Sequence, residues 1–421
     1  MRFLCSTKQK TRLNSGDTRF PADQKFICIL SFASLSVLEL IRLKDSGVLK
    51  FNLLKFSPDS ALIECGEETA KSLSGRAGGI FKVAKVCGHS VQELLAELPL
   101  PDEPKFSWTV SGYGCEKETL EDTRMEVAIL LKKSSLGKSR YLFPDPRGEN
   151  SEIKIFDLVK NVLVNDQNKT KGIDVTVNCD LVERYFGFTK FPSDVKGFEE
   201  RDFGRPYQDP TVTMSPRLAR TLVNLCGLQN GNTLLDPFCG HGTILQEALL
   251  VGLNVVGIDI SSSEISKARE NLVWLKKRFH LSPKLSSNVF RRDTLRMEYS
   301  NLPKADAIAT EPILIPKLEK NQNASKSIEI IRDSSIKYGE AFSAFTEILR
   351  PGGLVAIVAP DLIDDRGKSH GIDIEYVSAE YGFTLLRSED PGVQNPCLVP
   401  TTKRKIIQRK VYVMKFDPTS V

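Results

Sequence analysis

Short apolar runs alternate with amphipathic stretches through the C-terminal half of the chain. The apolar runs predict strands at 233–235, 255–258, 305–309 and 354–358, and the amphipathic stretches predict helices at 243–251, 264–279 and 338–349. Alternation of this kind predicts a parallel sheet covered by helices on both faces. Two further apolar runs, 383–386 and 411–416, have no helical pattern between them. We therefore expect a doubly wound α/β sheet with one antiparallel edge strand.

The N-terminal half mixes strand and helix patterns less regularly, which is typical of small α+β domains. Its predicted strands are 26–30, 60–65, 80–86 and 106–110, its predicted helices are 34–44, 91–98 and 120–132, and 153–164 and 172–177 are further elements. Proline- and glycine-rich stretches divide these patterns into separate units. The predicted organisation is a flexible tail at 1–23, a first unit at 24–98, a second at 99–190, a linker at 191–214 and a third unit at 215–421.

Composition excludes several classes of protein. No stretch of the 421 residues approaches the ~20 apolar positions that a membrane span requires, so we expect a soluble, cytoplasmic protein. The nine cysteines contain no Cys-x-x-Cys pair, which argues against a disulfide framework and a zinc ribbon. The four histidines are scattered, so we expect no metal.

Net charge is only +5, so any nucleic-acid contact must depend on local clusters of basic residues. One cluster consists of Lys132, Lys133, Lys138 and Arg140 and follows a predicted helix, which suggests an exposed turn. A second cluster spans 403–410. The alternative interpretation is that both clusters are ordinary solvated surface.

The strongest motif is the run from Leu234 to Ile244. A short apolar strand leads to Asp236, a turn containing Gly240 and Gly242 follows, and a helix begins at Thr243. Glycines let the backbone approach a ligand closely, and the start of a helix presents free N–H groups to a carboxylate. In this strand–turn–helix context the run predicts a binding loop for a charged ligand.

Two further acids follow apolar runs in the same half of the chain. Asp259 ends the next predicted strand, where an acid in nucleotide-binding folds bonds ribose hydroxyls. Asp293 comes after Val289-Phe290 and is placed to accept an adenine amino group. The alternatives are that Asp259 only caps the next helix and that Asp293 is a surface-loop acid.

A fourth segment, Glu311-Pro312 and the residues after it, follows predicted strand 305–309. Open α/β sheets bind their ligands at the carboxyl ends of the strands, where the strand order reverses. Transfer chemistry is therefore expected at this loop.

These motifs resemble the Rossmann-fold base-amine methyltransferases, and within them the THUMP-containing tRNA guanine-N2 methyltransferases of archaea and eukaryotes. The resemblance rests on Asp236-Pro-Phe-Cys-Gly-x-Gly-Thr243, Asp259, Pro351-Gly-Gly353, Tyr185-Phe-Gly187, Arg201-Asp202, Arg205-Pro206 and the run from Met214 to Cys226. It implies a Rossmann-like methyltransferase domain at 215–421, a ferredoxin-like domain at 24–98 and a THUMP-like RNA-binding domain at 99–190.

The resemblance also implies a cofactor and a partner, S-adenosyl-L-methionine and tRNA, and leaves open a small activating subunit. The implied cofactor-binding residues are Asp236, Phe238, Gly240, Gly242, Thr243, Asp259, Ile260, Asp293 and Thr294. The implied catalytic residues are Glu311 and Pro312, and Lys132, Lys133, Lys138 and Arg140 are expected to bind RNA.

The catalytic segment departs from the family motif, which is Asp or Asn, then Pro-Pro, then Tyr or Phe. Here Glu311-Pro312-Ile313-Leu314 keeps an acid but lacks the second proline and the aromatic residue. Two alternatives therefore stand beside methylation of guanine N2 in tRNA. One is a non-catalytic RNA-binding protein that retains the fold, and the other is a methyltransferase acting on rRNA or DNA.

Overall fold

A computed structural model describes residues 24–99, 105–133, 138–141, 172–181, 183–208, 214–296, 301–312, 315–316, 323–388, 390, 392–400 and 406–420. The predicted tail at 1–23 and the predicted element at 153–164 lie outside the described residues. No helix in the described part of the chain is long and apolar enough to cross a bilayer.

The N-terminal half is built on one eight-stranded sheet. Its elements are β1 (Gln24–Leu30), α1 (Ser34–Asp45), β2 (Asn52–Phe56), β3 (Ser60–Cys65), α2 (Glu67–Arg76), β4 (Ile80–Gly88), α3 (Val91–Glu97), β5 (Lys105–Tyr113), α4 (Lys117–Lys133), β6 (Lys138–Tyr141), β7 (Gly172–Asn178) and β8 (Tyr185–Pro192). The strand order is β2-β3-β1-β4-β8-β7-β5-β6. The predicted first and second units therefore share a continuous sheet, because β4 pairs with β8 in antiparallel register.

The C-terminal half contains a second sheet with helices packed on it. Its elements are α5 (Val195–Phe203), α6 (Pro216–Leu225), β9 (Thr233–Asp236), α7 (Thr243–Leu250), β10 (Asn254–Asp259), α8 (Ser262–Arg278), β11 (Ser287–Arg291), β12 (Ala305–Thr310), α9 (Ala324–Ile348), β13 (Leu349–Ile363), β14 (Ser369–Gly371), α10 (Ile374–Ala379), β15 (Phe383–Leu385), β16 (Cys397–Leu398) and β17 (Ile407–Phe416). The main strand order is β11-β10-β9-β12-β13-β17-β15.

This sheet confirms the predicted doubly wound, Rossmann-like α/β class. Strands β11, β10, β9, β12 and β13 run parallel, and the order reverses between β9 and β12. One detail differs from the prediction. The antiparallel strand is β17, which lies one place in from the edge, because β15 pairs with its outer side.

The predicted linker at 191–214 contains regular structure. Strand β8 runs to Pro192, and α5 follows with the Asp194 side chain accepting a hydrogen bond from Gly197 N–H at 3.0 Å. Arg201 of α5 then donates through Nε to the buried carboxylate of Glu247 in α7 at 2.6 Å. This ion pair holds α5 against α7, so residues 195–203 of the predicted linker are part of the folded C-terminal half.

The predicted exposed turn around Lys138 and Arg140 is also different in the structure. Helix α4 ends at Lys133, and both residues lie in β6, which pairs in parallel with the edge of β5. The prediction was wrong because Lys138–Tyr141 is a short, polar run whose pairing partner is distant in sequence.

The two halves of the molecule share one hydrophobic core. The cluster around Phe26 and Leu38 of the N-terminal half continues into Leu222 and Leu245 of the C-terminal half. At its centre the buried Glu39 carboxylate accepts hydrogen bonds from the N–H groups of Gly78 and Gly79 at 2.8 Å each. The same carboxylate accepts a hydrogen bond from Asn224 Nδ2 of α6 at 2.7 Å, so α1 of the N-terminal half is joined directly to the C-terminal half.

Candidate active site

A cavity of about 490 Å³ opens at the carboxyl ends of β9, β10 and β12. Most residues predicted to bind the cofactor or to act in catalysis line it: Asp236, Phe238, Gly240, Thr243, Asp259, Ile260, Asp293, Thr294 and Glu311. Gly242 and Pro312 are not among the lining residues, although each adjoins one that is. The topological switch point thus brings together four segments that are far apart in sequence.

The loop between β9 and α7 has the tight geometry that its glycines predict. Gly240 and Gly242 adopt φ values of +46° and +80°, a region in which other residues are strained. Gly242 N–H donates to Cys239 O at 2.7 Å and so closes the turn, after which α7 begins at Thr243. The loop and the start of α7 therefore lie at the cavity, where Gly240 adds no side chain of its own.

Asp259 connects the end of β10 to this loop. Its Oδ2 accepts a hydrogen bond from Gly240 N–H at 3.0 Å, and its Oδ1 accepts one from Ser261 N–H at 2.8 Å. The cap of α8 is the Ser261 side chain, which accepts from Glu264 N–H. Asp259 is thus not the helix cap that the alternative interpretation proposed, and its carboxylate lies on the cavity wall.

Asp236 is a buried acid on the floor of the cavity. Its Oδ1 accepts hydrogen bonds from the Thr310 hydroxyl at 2.8 Å and from Phe238 N–H at 3.1 Å. Burial, with a contribution from the carboxylates of Asp259 and Glu311, raises the pKa of Asp236 to about 7, although the two hydrogen bonds oppose the shift. Such a group favours a cationic ligand, which would restore its charged form.

Glu311 follows the last residue of β12 and faces Arg409 of β17. The Arg409 Nη1 atom lies 3.4 Å from Glu311 Oε1. Burial raises the pKa of Glu311, and the guanidinium of Arg409 lowers it. The fully buried hydroxyl of Tyr338 in α9 lies 3.3 Å from Pro312 O and 3.2 Å from Val358 O, and so fixes the backbone next to Glu311. Ile313 and Leu314 lie outside the described residues.

Asp293 and Thr294 form the far wall of the cavity. Asp293 Oδ1 accepts a hydrogen bond from Leu295 N–H at 3.0 Å, and about a third of the Asp293 side chain remains exposed. The buried Thr294 hydroxyl donates to Pro237 O and joins this wall to the loop after β9. Asp293 is thus partly exposed and is one of the residues that line the cavity.

Three supporting residues were not assigned roles from the sequence. The buried Arg205 donates through Nη1 to Thr243 Oγ1 at 2.7 Å. Asn271 donates through Nδ2 to His241 O at 3.0 Å, and His241 Nε2 lies 2.6 Å from Glu264 Oε2. Arg205-Pro206 was a possible signal, since it stands in the segment that carries the resemblance. Nothing in the sequence pattern marks Asn271.

The predicted RNA-binding residues belong to the other sheet. Lys132, Lys133 and Arg140 are exposed, at the end of α4 and in β6. Residue Lys138 lies in β6, and its side chain is outside the described residues. In the described part of the chain, no three His, Cys, Asp or Glu side chains are grouped so that they could hold a metal ion.

A comparison with protein families decides what kind of domain surrounds the cavity. Residues 204–294, which include the loop after β9, Asp259 and Asp293, match the UPF0020 family, described as the RMKL-like methyltransferase domain. Over these residues the chain is similar to a methyltransferase domain.

Curated relatives match parts of the chain. A tRNA (guanine(10)-N2)-dimethyltransferase of Methanothermobacter thermautotrophicus is 34% identical over 166 residues, which is 39% of this chain and 44% of the relative. The enzyme of the same name from Methanocaldococcus jannaschii is 35% identical over 156 residues, 34% of this chain and 41% of the relative. The matches thus span less than half of each relative's length.

Among solved structures, TrmN from Thermus thermophilus superimposes with a TM-score of 0.52 and covers 93% of this chain and 99% of its own. At 17% identity this likeness concerns the fold. It extends well beyond the methyltransferase domain, and so the arrangement of both halves recurs in another protein.

Proposed function

We propose that this protein transfers a methyl group from S-adenosylmethionine to the exocyclic N2 amine of a guanine in tRNA. The observation that carries the proposal is the convergence of Asp236, Asp259 and Glu311 on one cavity at the switch point of a methyltransferase domain. The names of the curated relatives support guanine 10 of tRNA as the target.

The residues around the cavity fit S-adenosylmethionine. A volume of about 490 Å³ is in the range of small-molecule sites. The free N–H groups at the start of α7 suit the carboxylate of its methionine part, the buried Asp236 suits its positive charge, and Asp259 suits the ribose hydroxyls. Asp293, with its exposed carboxylate, suits the adenine amine. The bound cofactor supplies an electrophilic methyl group.

Glu311 provides what a base amine needs in order to attack. The lone pair of an exocyclic amine is conjugated with its ring, so the nitrogen is a poor nucleophile until it becomes pyramidal. A carboxylate that accepts its N–H bond favours this change and orients the amine. Correct orientation can lower the activation free energy by up to ~7–11 kcal/mol. The carbonyl oxygen of Pro312 accepts a hydrogen bond from the Tyr338 hydroxyl, and this contact positions the backbone of Glu311 at the end of β12.

The test is methylation of tRNA by the purified protein with labelled S-adenosylmethionine, followed by mass spectrometry of the nucleosides. We expect N2-methylguanosine from the wild type. Glu311→Ala should lower kcat roughly 100-fold or more while S-adenosylmethionine affinity is unchanged, because Glu311 acts on the amine. The matched control is Glu329→Ala, an exposed glutamate of α9.

Each rival function gives a different result in this experiment. A wild type that binds S-adenosylmethionine but methylates no RNA or DNA would support the non-catalytic RNA-binding protein. Methylation of rRNA or DNA in preference to tRNA would support the other rival. Unchanged turnover in Glu311→Ala would remove Glu311 from the mechanism, and absence of S-adenosylmethionine binding would overturn the proposal as a whole.

The basic residues of α4 and β6 are proposed to contact the phosphates of the RNA. Lys132, Lys133 and Arg140 lie at the exposed end of the N-terminal sheet, close in sequence to Lys138. Replacing all four with Ala should weaken tRNA binding and flatten the dependence of log affinity on log salt by ~0.7–0.9 per lost contact. Filter binding over a salt series measures this slope, and S-adenosylmethionine affinity is the control. An identical slope would mean that the cluster is only solvated surface.

A further inference from the structure

Arg409 stands beside the acid of the methyltransferase site and has no role in the proposed function so far. It belongs to β17, and Glu311 follows β12, so the pair reaches across β13, which lies between these two strands. The Arg409 Nη1 atom is 3.4 Å from Glu311 Oε1. The two side chains are 31% and 23% exposed, so both remain accessible to a ligand. A positive donor therefore lies next to the negative acceptor that faces the substrate.

The backbone of Arg409 is held on both sides. It pairs with Pro360 of β13 in the antiparallel register, and its carbonyl oxygen accepts a hydrogen bond from Val399 N–H at 2.9 Å. The sheet thus fixes the backbone from which the Arg409 side chain projects, and the hydrogen bond to Glu311 orients its guanidinium.

A hydrogen-bond acceptor beside a hydrogen-bond donor, as in Glu311 and Arg409, is complementary to the Watson–Crick edge of guanine. On its Watson–Crick edge, guanine presents the N2 and N1 hydrogens as donors and O6 next to them as an acceptor. Adenine presents the opposite order, with an acceptor at N1 and a donor at N6. Enzymes that act on an extruded base read this edge by hydrogen bonds, and arginine commonly donates to O6 of guanine.

We infer that Arg409 selects guanine by donating to O6 while Glu311 accepts from the N1 and N2 hydrogens of the same base. The inference rests on the proposed function and names a specificity-determining residue for it. It also provides base recognition in a catalytic segment that lacks the aromatic residue of the family motif. Adenine would place its amine against the guanidinium and its N1 lone pair against the carboxylate, so both contacts would be repulsive.

Arg409 is not the only charged or titratable group around Glu311. Asp236 of β9 and Tyr338 of α9 also interact electrostatically with the Glu311 carboxylate, beside the Arg409 guanidinium. Removing Arg409 therefore also affects the charge of Glu311. This second effect is the same for two target bases that share the N1 hydrogen and the N2 amine, so it cancels when such bases are compared in the same variant.

The test compares tRNA carrying guanine with tRNA carrying 6-thioguanine at the target position. 6-Thioguanine keeps the exocyclic amine and the N1 hydrogen but replaces O6 with sulfur, a poorer hydrogen-bond acceptor. The wild type should prefer guanine in kcat/KM, and Arg409→Ala should reduce that preference by roughly 10-fold. Arg409→Lys should give an intermediate ratio, since it keeps one donor. Lys415→Ala, an exposed residue of the same strand, is the matched control.

Three results would count against the inference or against the proposed function. An unchanged guanine preference in Arg409→Ala overturns the role of Arg409, and so does an equal loss of kcat/KM for both bases, which would make it a positioning residue for Glu311. The affinities of the same two tRNAs for protein saturated with S-adenosylhomocysteine measure the discrimination between the two bases without turnover. A wild type that discriminates in binding but never methylates would therefore overturn the proposed function and leave the inference standing.

Discussion

Asp236 is a buried carboxylate whose charge changes within the physiological pH range. Burial raises its pKa to about 7 from an ordinary value near 4. In the unfolded chain the same carboxyl is ionised above about pH 4. Between about pH 4 and pH 7, folding without a ligand therefore requires this carboxylate to take up a proton, which lowers the free energy of unfolding. The residue that we propose to attract the cofactor is therefore one that weakens the ligand-free protein.

This conflict predicts opposite effects of Asp236→Asn on stability and binding. The amide keeps an oxygen for the Thr310 hydroxyl and for Phe238 N–H but carries no charge. At pH 8 the ligand-free variant should be more stable than the wild type by roughly 1–3 kcal/mol, and it should lose most of its S-adenosylmethionine affinity. Urea unfolding and calorimetry measure the two quantities.

The pH dependence provides the control for this prediction. Because the pKa of Asp236 is raised in the folded state, its ionisation destabilises the wild type fully above about pH 7 and progressively less as the pH falls toward 4. The stability difference between Asp236→Asn and the wild type should therefore shrink as the pH is lowered from 7 to 5. A difference that stays constant with pH would show that Asp236 is ionised throughout.

At the scale of single residues, the sequence predicted the acids of the site better than their partners. Asp236, Asp259 and Glu311 could be found because each follows a strand, and the ends of parallel strands meet at one edge of the sheet. The contact of Arg409 with Glu311 could not be found. It depends on β17 pairing with β13, which brings together residues 98 apart in sequence.

At the scale of elements, periodicity predicted the long helices and buried strands and missed the short or polar ones. Strand β3 was predicted with its observed bounds, and α8 within two residues. The predicted helix at 338–349 covers only the second half of α9, since its first half is largely polar and begins with an Asn323 cap. Helix α5 was missed because proline and glycine nearby favoured a linker.

Helix α9 has a function at this scale, because its Tyr338 connects the loop after β12 to β13. Tyr338→Phe removes the hydroxyl that bonds Pro312 O and Val358 O. The free energy of unfolding should fall by only about 1 kcal/mol. In contrast, kcat should fall more than tenfold, because the Glu311 backbone relaxes. Cofactor affinity should not change. Steady-state kinetics with a titration of S-adenosylmethionine separates the effects, and an equal loss of both would mean that the whole cavity had moved.

At the scale of the molecule, the N-terminal and C-terminal halves are packed against each other. They share one hydrophobic core, and the packing between them is close. A Cβ atom at Gly78 of the N-terminal half would lie only 2.2 Å from Arg217 O of α6. An RNA bound on the N-terminal sheet would therefore be held at a constant position relative to the catalytic cavity.

The shared core predicts that the chain unfolds as one unit, with Glu39 as its most sensitive polar residue. Its buried carboxylate accepts from Gly78 N–H, Gly79 N–H and the Asn224 amide, which joins both halves. Glu39→Ala leaves these donors buried without an acceptor and should lower the free energy of unfolding by about 2–4 kcal/mol.

Calorimetry of Glu39→Ala should show one unfolding transition, shifted as a whole to lower temperature. The control Glu121→Ala, an exposed glutamate of α4, should scarcely move it. Two transitions, only one of them shifted by Glu39→Ala, would mean that the halves fold independently and that RNA is not held at a constant position.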